Sequence, residues 1–369
     1  MKVAIVHDFF CNLGGSDTVA QILHQLFPEA PVYTLVIYDR NRDAELVQGM
    51  DIRTSFIQNL PLAGRTHQPF LPLFPIAIEQ FDLSGYDLVI SSSHSFAKGV
   101  ITSPQTLHIC YCHTPMRYAW DLYGGYTRRM GQLSRALTAL VMNYIRLWDV
   151  LTAERVDCFI ANSQFVAKRI KKYYGREARV IHPPVDTSYY TPMNEDEDYY
   201  LVVSRLTAYK RIDLAVKAFN KLGLPLRIIG TGPEMGRLRA IAKTNIQLLG
   251  EQPREVLREH LAKCRAFVFP GKEDFGIAPL EAQAAGRPVI AYAAGGALET
   301  VVEGVTGIFF HEQTIESLIA AVERLDAIQF DKDRIRQHAL RFDEELFKQR
   351  IVEFIQVKYA EHQRRQLDA

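Results

Sequence analysis

Residues 269–286 read FPGKEDFGIAPLEAQAAG, and the spacing Glu273-x7-Glu281 sets two carboxylates on either side of a strand-to-helix turn. The run AFVFP leading into it is apolar and partly aromatic, the composition of a strand buried in a parallel sheet. Gly276 suits a tight turn, and Pro279 suits a first helical turn that has no use for its missing N–H. Glu281 is therefore expected near a helix N-terminus and Glu273 on the loop before it. Between them, outward-facing backbone N–H groups and the helix dipole make an anion site. The stretch alone leaves three readings open: hydrolysis by paired carboxylates, phosphate binding, or an ordinary buried corner whose acids are solvated.

The same unit recurs on either side. YYLVVSRLTAYKRIDLAVKAF, residues 199–219, reads as strand, loop and helix, with Arg205 and Lys210 on the loop and helix start. Both can converge on one anion, the guanidinium as a planar fork and the ammonium as a point charge. LRIIG then meets the turn GTGPE at 230–234, IQLLG meets a helix from Arg254 to Cys264, RPVIAY meets Gly295-Gly296, and TGIFF meets a helix after Thr314. This alternation predicts a doubly wound α/β unit. A last amphipathic helix carries Phe342, Leu346, Phe347, Ile351 and Phe354 on one stripe and is expected to pack back onto the first domain.

The first half follows the same plan. Lys2 to His7 reads as a buried strand, FFCNLGGSD as a loop, and Val19, Ile22, Leu23 and Leu26 as one face of a helix. Gly14-Gly15 lets backbone approach a ligand, and Ser16 or Asp17 can cap the helix. The six-position dinucleotide fingerprint is absent, which argues against nicotinamide binding. Strand-like runs recur at PVYTLVI, DIRTSFI, YDLVISSS and TLHICYCH. The last leads into YCHTPMRYAWDLY, residues 111–123, where His113 and Arg117 can bond sugar hydroxyls or a phosphate and Tyr118 and Trp120 can stack on a sugar ring. From Leu133 a helix carries Leu137, Leu140, Val141, Tyr144, Ile145 and Trp148, with Arg128, Arg129, Arg135 and Arg146 nearby. It either docks on the N-terminal domain or rests on an anionic membrane surface, and KRIKKYYGREAR at 168–179 either extends its positive face or is a solvated helix end.

DTSYYTPMNEDEDYY, residues 186–200, reads as a linker, and its acids at 195–198 as a solvated charge run rather than a metal-binding DxD. The expected division is 1–190 (completed by 342–369) and 199–341. With 369 residues, 48% hydrophobic and 23% charged, the chain has room for two cores. Lys and Arg total 43 against 42 Asp and Glu, which argues against a nucleic-acid partner. Five cysteines without framework spacing suit a reducing compartment, and Cys110-Tyr-Cys112 reads as two small buried residues rather than a metal or redox pair. MKVAIVHDFF lacks signal-peptide zones and no uncharged run reaches about 18 residues, so the expected location is cytoplasmic, peripheral at the inner face of the membrane if the basic helix touches lipid.

Gly14-Gly15, His113, the run SRLTAYKRIDLAVKAF and the run EDFGIAPLEAQAAGRPVIA together resemble the retaining GT-B glycosyltransferases of family 4, over both halves of the chain. HTPMRYAWDLY is similar, more loosely, to mannosyltransferases of bacterial polysaccharide assembly. The resemblance implies two Rossmann-like domains facing across a cleft, the second binding a nucleotide diphosphate sugar and the first a saccharide or lipid-linked saccharide acceptor. It implies that Arg205 and Lys210 hold the diphosphate, Glu281 the ribose, and Glu273 the transferred sugar. The N–H groups of Phe275, Gly276, Ile277 and Ala278 would meet phosphate or sugar, Gly14 and Gly15 the diphosphate, and His113 the sugar's primary hydroxyl. The base falls near Gly230–Pro233 and Gly250–Gln252, which do not separate uridine from guanosine. Asp17 departs from the family's usual Glu. No metal and no cofactor is implied, and retention follows from same-face attack. A nucleotide-sugar epimerase on the same fold and a non-catalytic scaffold are the alternatives.

Overall fold

The computed structural model describes residues 1–127 and 130–367. The apolar runs of the first half become β1 (Val3–Phe10), β2 (Val32–Ile37), β3 (Ile52–Thr54), β4 (Leu88–Ser93), β5 (Leu107–Cys112), β6 (Cys158–Ala161) and β7 (Ala178–Val180). They form one seven-stranded parallel sheet in the order β3-β2-β1-β4-β5-β6-β7. Every residue of β1, β2, β4 and β5 is buried, which is why these strands read as largely apolar runs without strict alternation. Cys110 and Cys112 share one face of β5 and pack with Phe159, Val166, Ile170 and Tyr174, as small core residues do.

The second half supplies β8 (Tyr200–Val203), β9 (Leu226–Ile229), β10 (Ile246–Gly250), β11 (Ala266–Phe269), β12 (Val289–Tyr292) and β13 (Gly307–Phe310), a parallel sheet in the order β10-β9-β8-β11-β12-β13. Contacts divide the chain into unit 1, Met1–His182 together with the chain from Lys348, and unit 2, Pro183–Phe347. Each unit is a doubly wound, Rossmann-like α/β layer structure. In each, strand order reverses beside the first strand, between β1 and β4 in unit 1 and between β8 and β11 in unit 2. Loops leaving adjacent carboxyl ends there diverge to opposite faces and open a crevice, the place where such sheets bind ligands.

Residues 186–198, which read as a linker, are built into unit 2. Arg336 donates to the carbonyls of Thr187 and Tyr190 at 3.1 and 2.9 Å, and Arg254 pairs with Asp186 at 2.6 Å. The acidic run stands in solvent as expected, but each of its carboxylates is also paired: Glu195 with Lys263, Asp196 with Arg287 and Lys332, Glu197 with Arg227, and Asp198 with Arg265. Each carboxylate finds a base on a neighbouring element, a relation invisible to local composition. No cluster of three or more potential metal-ligating side chains occurs among the described residues.

The helix Gln132–Ala153 has two apolar faces. It buries Met142, Ile145 and Trp148 against unit 1, and its Asp149 is a fully buried hub taking Lys98 at 2.9 Å, Trp120 Nε1 at 2.8 Å and the Tyr174 hydroxyl at 3.0 Å. Leu133, Leu137, Leu140, Tyr144, Leu147 and Leu151 stay exposed on the other face. The residues predicted as one stripe are thus split between core and surface. Arg135 is exposed, while Arg128 and Arg129 lie outside the described residues. In the second basic run Arg169 is buried against Asp121 and Arg176 binds the carbonyls of Ala153 and Val156, while Lys168, Lys171, Lys172 and Arg179 are exposed, Lys171 on Glu177.

Candidate active site

In unit 2 the loop after β8 carries Arg205 and Lys210, and the loop after β11 carries Glu273, so the strand-order reversal sets them side by side. Lys210 Nζ lies 2.8 Å from both Glu273 oxygens, and the two side chains keep only 18% and 16% of their exposure. A pair this enclosed is stronger than one in open water, yet both ends still reach the surface. Arg205 is exposed and its guanidinium has no ion-pair partner among the described residues. The Lys210 backbone lies so close to Gly271 that a Cβ there would sit 2.9 Å from its Cα. Gly230 N donates to the Gly250 carbonyl at 2.7 Å, which joins the turns after β9 and β10 at the same end of the sheet.

The chain enters the helix Ile277–Ala284 through Gly276 at φ 96°, a conformation that costs a side-chain-bearing residue about 1 kcal/mol or more. Its missing side chain matters as well, since a Cβ would meet the Phe269 ring at 2.9 Å. The turn leaves the first N–H groups of the helix, those of Ile277 and Ala278 among them, without intrahelical carbonyls. The Glu273 backbone is held by Gly295-Gly296: Gly296 N donates to its carbonyl at 2.9 Å, and a Cβ on Gly295 would lie 2.2 Å from the same oxygen. Phe275 is buried in a cluster with Val185, Leu280 and Phe342.

Glu281 sits on that helix, half-buried. Desolvation pushes its carboxyl up to about 7, against the opposing pull of the Tyr190 hydroxyl and the Arg254 charge. The two acids of the opening stretch therefore live in different environments, one neutralised by an ammonium and one raised by burial.

In unit 1 the reversal joins β1 and β4, where His7 and Ser92 are register partners. His7 Nδ1 lies 3.1 Å from Ser92 Oγ, Ser92 Oγ lies 2.9 Å from His113 Nε2, and His7 Nε2 lies 3.4 Å from Asp17 Oδ1. Gly14 is the N-cap of the helix Gly15–Leu26, and Asp17 reaches back to accept its N–H at 2.9 Å. Asp17 therefore caps the helix and is 3% exposed. Burial, with the nearby His94 and His7, holds the half-buried His113 imidazole well below its usual value. Asp8 accepts the N–H groups of His94, Ser95, Phe96 and Ala97 at 2.5–2.9 Å and so shapes the loop after β4.

The aromatic platform expected at 111–123 is not open. Trp120 stacks on Tyr173 at 4.7 Å and is tied to Asp149, Tyr118 bonds Ser95 at 2.7 Å, and Asp121 pairs with Arg169 and Tyr173. These polar-aromatic residues fasten the segment to unit 1, and His113 is what it presents. His7 and Ser92 were missed by sequence reasoning. Their signal was polar residues toward the carboxyl ends of strands that begin apolar, His7-Asp8 in VAIVHDFF and the serine run in LVISSS.

Two family models match, Glycosyltransferase Family 4 over residues 13–189 and Glycosyl transferases group 1 over residues 190–341. A GDP-mannose-dependent phosphatidylinositol monomannoside mannosyltransferase of Mycolicibacterium smegmatis is 28% identical over 54% of the chain and 63% of its own length. A glycogen synthase of Pseudomonas syringae is 29% identical over 48% of the chain and 36% of its own. These matches thus span less than two thirds of either relative. Among solved structures, Anabaena HepE in complex with UDP superposes with a TM-score of 0.69 at 17% identity, covering 97% of the chain and 100% of HepE. Sucrose-phosphate synthase of Thermosynechococcus elongatus gives 0.72 at 17% identity, covering 97% and 99%.

Proposed function

The chain belongs to the family 4 glycosyltransferases of GT-B fold, and on that premise we propose that it is a retaining hexosyltransferase. It moves a hexose from a nucleotide diphosphate sugar, GDP-mannose or UDP-glucose, to a saccharide or lipid-linked saccharide in polysaccharide synthesis. The observation that carries this reading is the pairing of Lys210 with Glu273 beside the exposed Arg205 and the helix start at Gly276. Cleavage of the bond between the anomeric carbon and phosphate oxygen leaves negative charge on the diphosphate and positive character on the sugar. Arg205, Lys210 and the N–H groups of the helix start stabilise the first without a metal. Glu273, held beside Lys210, orients the sugar, and Glu281 accepts the ribose hydroxyls. The acceptor oxygen attacks the face the phosphate leaves, and the departing phosphate oxygen takes its proton, which balances the exchange. Gly14, Gly15 and His113 serve the same reaction from unit 1.

The lipid part of the acceptor is supported by the stripe from Leu133 to Leu151, exposed apolar side chains on the helix Gln132–Ala153 that suit a lipid surface. No helix among the described residues is long and apolar enough to cross a membrane, so attachment would be peripheral. Calorimetric titration with UDP and GDP identifies the nucleotide, and NMR of the product anomer tests the mechanism: an inverted linkage would overturn retention. Incubation with the nucleotide sugar alone tests for epimerisation, since a new nucleotide sugar without acceptor would replace the transfer reading.

A further inference from the structure

Asp17, His7, Ser92 and His113 form one hydrogen-bonded line inside unit 1, with steps of 3.4, 3.1 and 2.9 Å. Three of the four are buried, His7 and Ser92 completely and Asp17 to 3%. A line of this kind has a direction, because each hydrogen between two heavy atoms belongs to one of them. An ionised Asp17 accepts only, so the proton between it and His7 sits on His7 Nε2. In a neutral ring this leaves a lone pair on Nδ1, which takes the Ser92 hydroxyl hydrogen. The Ser92 oxygen then accepts from His113, whose proton is placed on Nε2. His113 Nδ1 has no partner among the described residues and is not one of the buried unpartnered atoms, so its lone pair faces outward.

We propose that Asp17, His7 and Ser92 are positioning residues that fix His113 as its Nε2–H tautomer, so that His113 accepts a hydrogen bond from its ligand and cannot donate one. The ligand group facing it must then carry a hydrogen. A hydroxyl satisfies this requirement. A carboxylate does not, because two lone pairs would oppose each other in a partly desolvated site. Placed on the transfer reading above, the line selects a hexose over the corresponding hexuronic acid. The low affinity of the His113 ring for a second proton supports the same outcome, since a charged imidazole would welcome the carboxylate.

Asp17 provides an unusually direct test. Its Oδ2 accepts the Gly14 N–H at 2.9 Å and its Oδ1 faces His7. In Asp17→Asn the amide oxygen is needed at Gly14, so the NH2 group faces His7 Nε2 and demands an acceptor there. Every hydrogen in the line then reverses, and His113 becomes the Nδ1–H tautomer with no bond removed. The tautomer is read from two-bond proton–nitrogen correlations of 15N-histidine-labelled protein at pH 8, where an ordinary imidazole is neutral, with His113→Gln assigning the signals. We expect Nε2–H at His113 in the unaltered protein, Nδ1–H in Asp17→Asn, and a mixture in Ser92→Ala. An Nδ1 proton in the unaltered protein, or a His113 signal unmoved by Asp17→Asn, overturns the proposal. Should Asp17→Asn not fold, a single unchanged tautomer in Ser92→Ala overturns it equally.

A second arm compares inhibition constants of a nucleoside diphosphate hexose and its hexuronate, on the nucleotide that binds in titration. The preference for the hexose should fall by about tenfold in Asp17→Asn, the worth of one hydrogen bond; an unchanged ratio counts against the selectivity. Only this arm rests on the transfer reading, so a protein that binds no nucleotide sugar still leaves the ring-nitrogen result decisive.

Discussion

Glu281→Gln should stabilise unit 2 at neutral and alkaline pH and leave it unchanged in mild acid. Burial raises the Glu281 carboxyl from 4.5 to about 7, so between those values the native state holds a proton that the unfolded state has released. Stability therefore falls with pH across that window. The contribution of the protonated carboxyl is complete below 4.5 and lost by the time pH passes about 7. The loss amounts to about 3 kcal/mol at most, and glutamine, which carries no charge, avoids it. At about 2–4 °C per kcal/mol, the variant's Tm should exceed the parent's by up to roughly 10 °C at pH 8 and match it at pH 4.5. Thermal unfolding of both proteins at the two pH values reads the difference, and subtracting one from the other cancels every other titrating group. A variant less stable at pH 8, or equally shifted at both, would refute the burial argument. The same carboxyl links to function: if it ionises to accept ribose hydroxyls, nucleotide binding at pH 7 should release about half a proton. Calorimetry in two buffers of different ionisation heat measures that release, and Glu281→Gln should abolish it.

Lys210→Ala should lower turnover about a hundredfold or more, the scale of losing one group that stabilises developing charge, while Tm changes by a few degrees; a variant with parental turnover removes Lys210 from the site. Gly295→Ala forces a Cβ against the Glu273 carbonyl at a backbone φ of 67°, so stability should drop about 1–3 kcal/mol and donor affinity with it, checked by calorimetry. Asp149→Ala takes the carboxylate from the buried Lys98 ammonium, which keeps the Asp149 carbonyl and the Thr152 hydroxyl, and removes the acceptor of Trp120 and Tyr174; it should cost about 3–5 kcal/mol, read from urea unfolding by tryptophan fluorescence. Leu140→Asp places a charge in the middle of the exposed stripe and should reduce sedimentation with phosphatidylglycerol vesicles without changing Tm; unchanged sedimentation argues against lipid contact there.

Much of the fold was legible because parallel strands buried on both faces announce themselves as apolar runs. Val3–Phe10, Leu107–Cys112 and Ala266–Phe269 are examples, and the punctuation by Gly276 and Gly295-Gly296 marked the loops between them. The resemblance to family 4 brought Arg205, Lys210 and Glu273 into one hypothesis, each on a loop that follows a strand. What it could not supply was pairing at a distance. The acids at 195–198 are solvated as expected, but their ion pairs were hidden because Lys263, Arg287, Lys332, Arg227 and Arg265 lie far along the chain. Trp120 and Tyr118 looked like a sugar platform because Tyr173, Asp149 and Ser95, their actual partners, belong to other elements. His7 and Ser92 escaped notice since each sits among other polar residues, Asp8 beside His7 and Ser91 and Ser93 beside Ser92, with nothing local to single it out. Their meaning depends on the parallel register that sets them opposite one another.

The last helix, Glu344–Leu367, leaves unit 2 and rejoins unit 1, where His362 Nε2 and Gln366 Nε2 both lie 3.0 Å from the Gln105 carbonyl. Unit 2 is thus continuous in sequence and unit 1 is not. On a ribosome, residues 1–182 must wait while all of 183–347 is made before their closing helix exists. At about 5–20 residues per second that delay is on the order of ten to thirty seconds. For that interval the earlier-born unit is the incomplete one, open where the helix will lie, and unit 2 is the first with its whole chain in hand. The order of synthesis and the order of completion run in opposite directions.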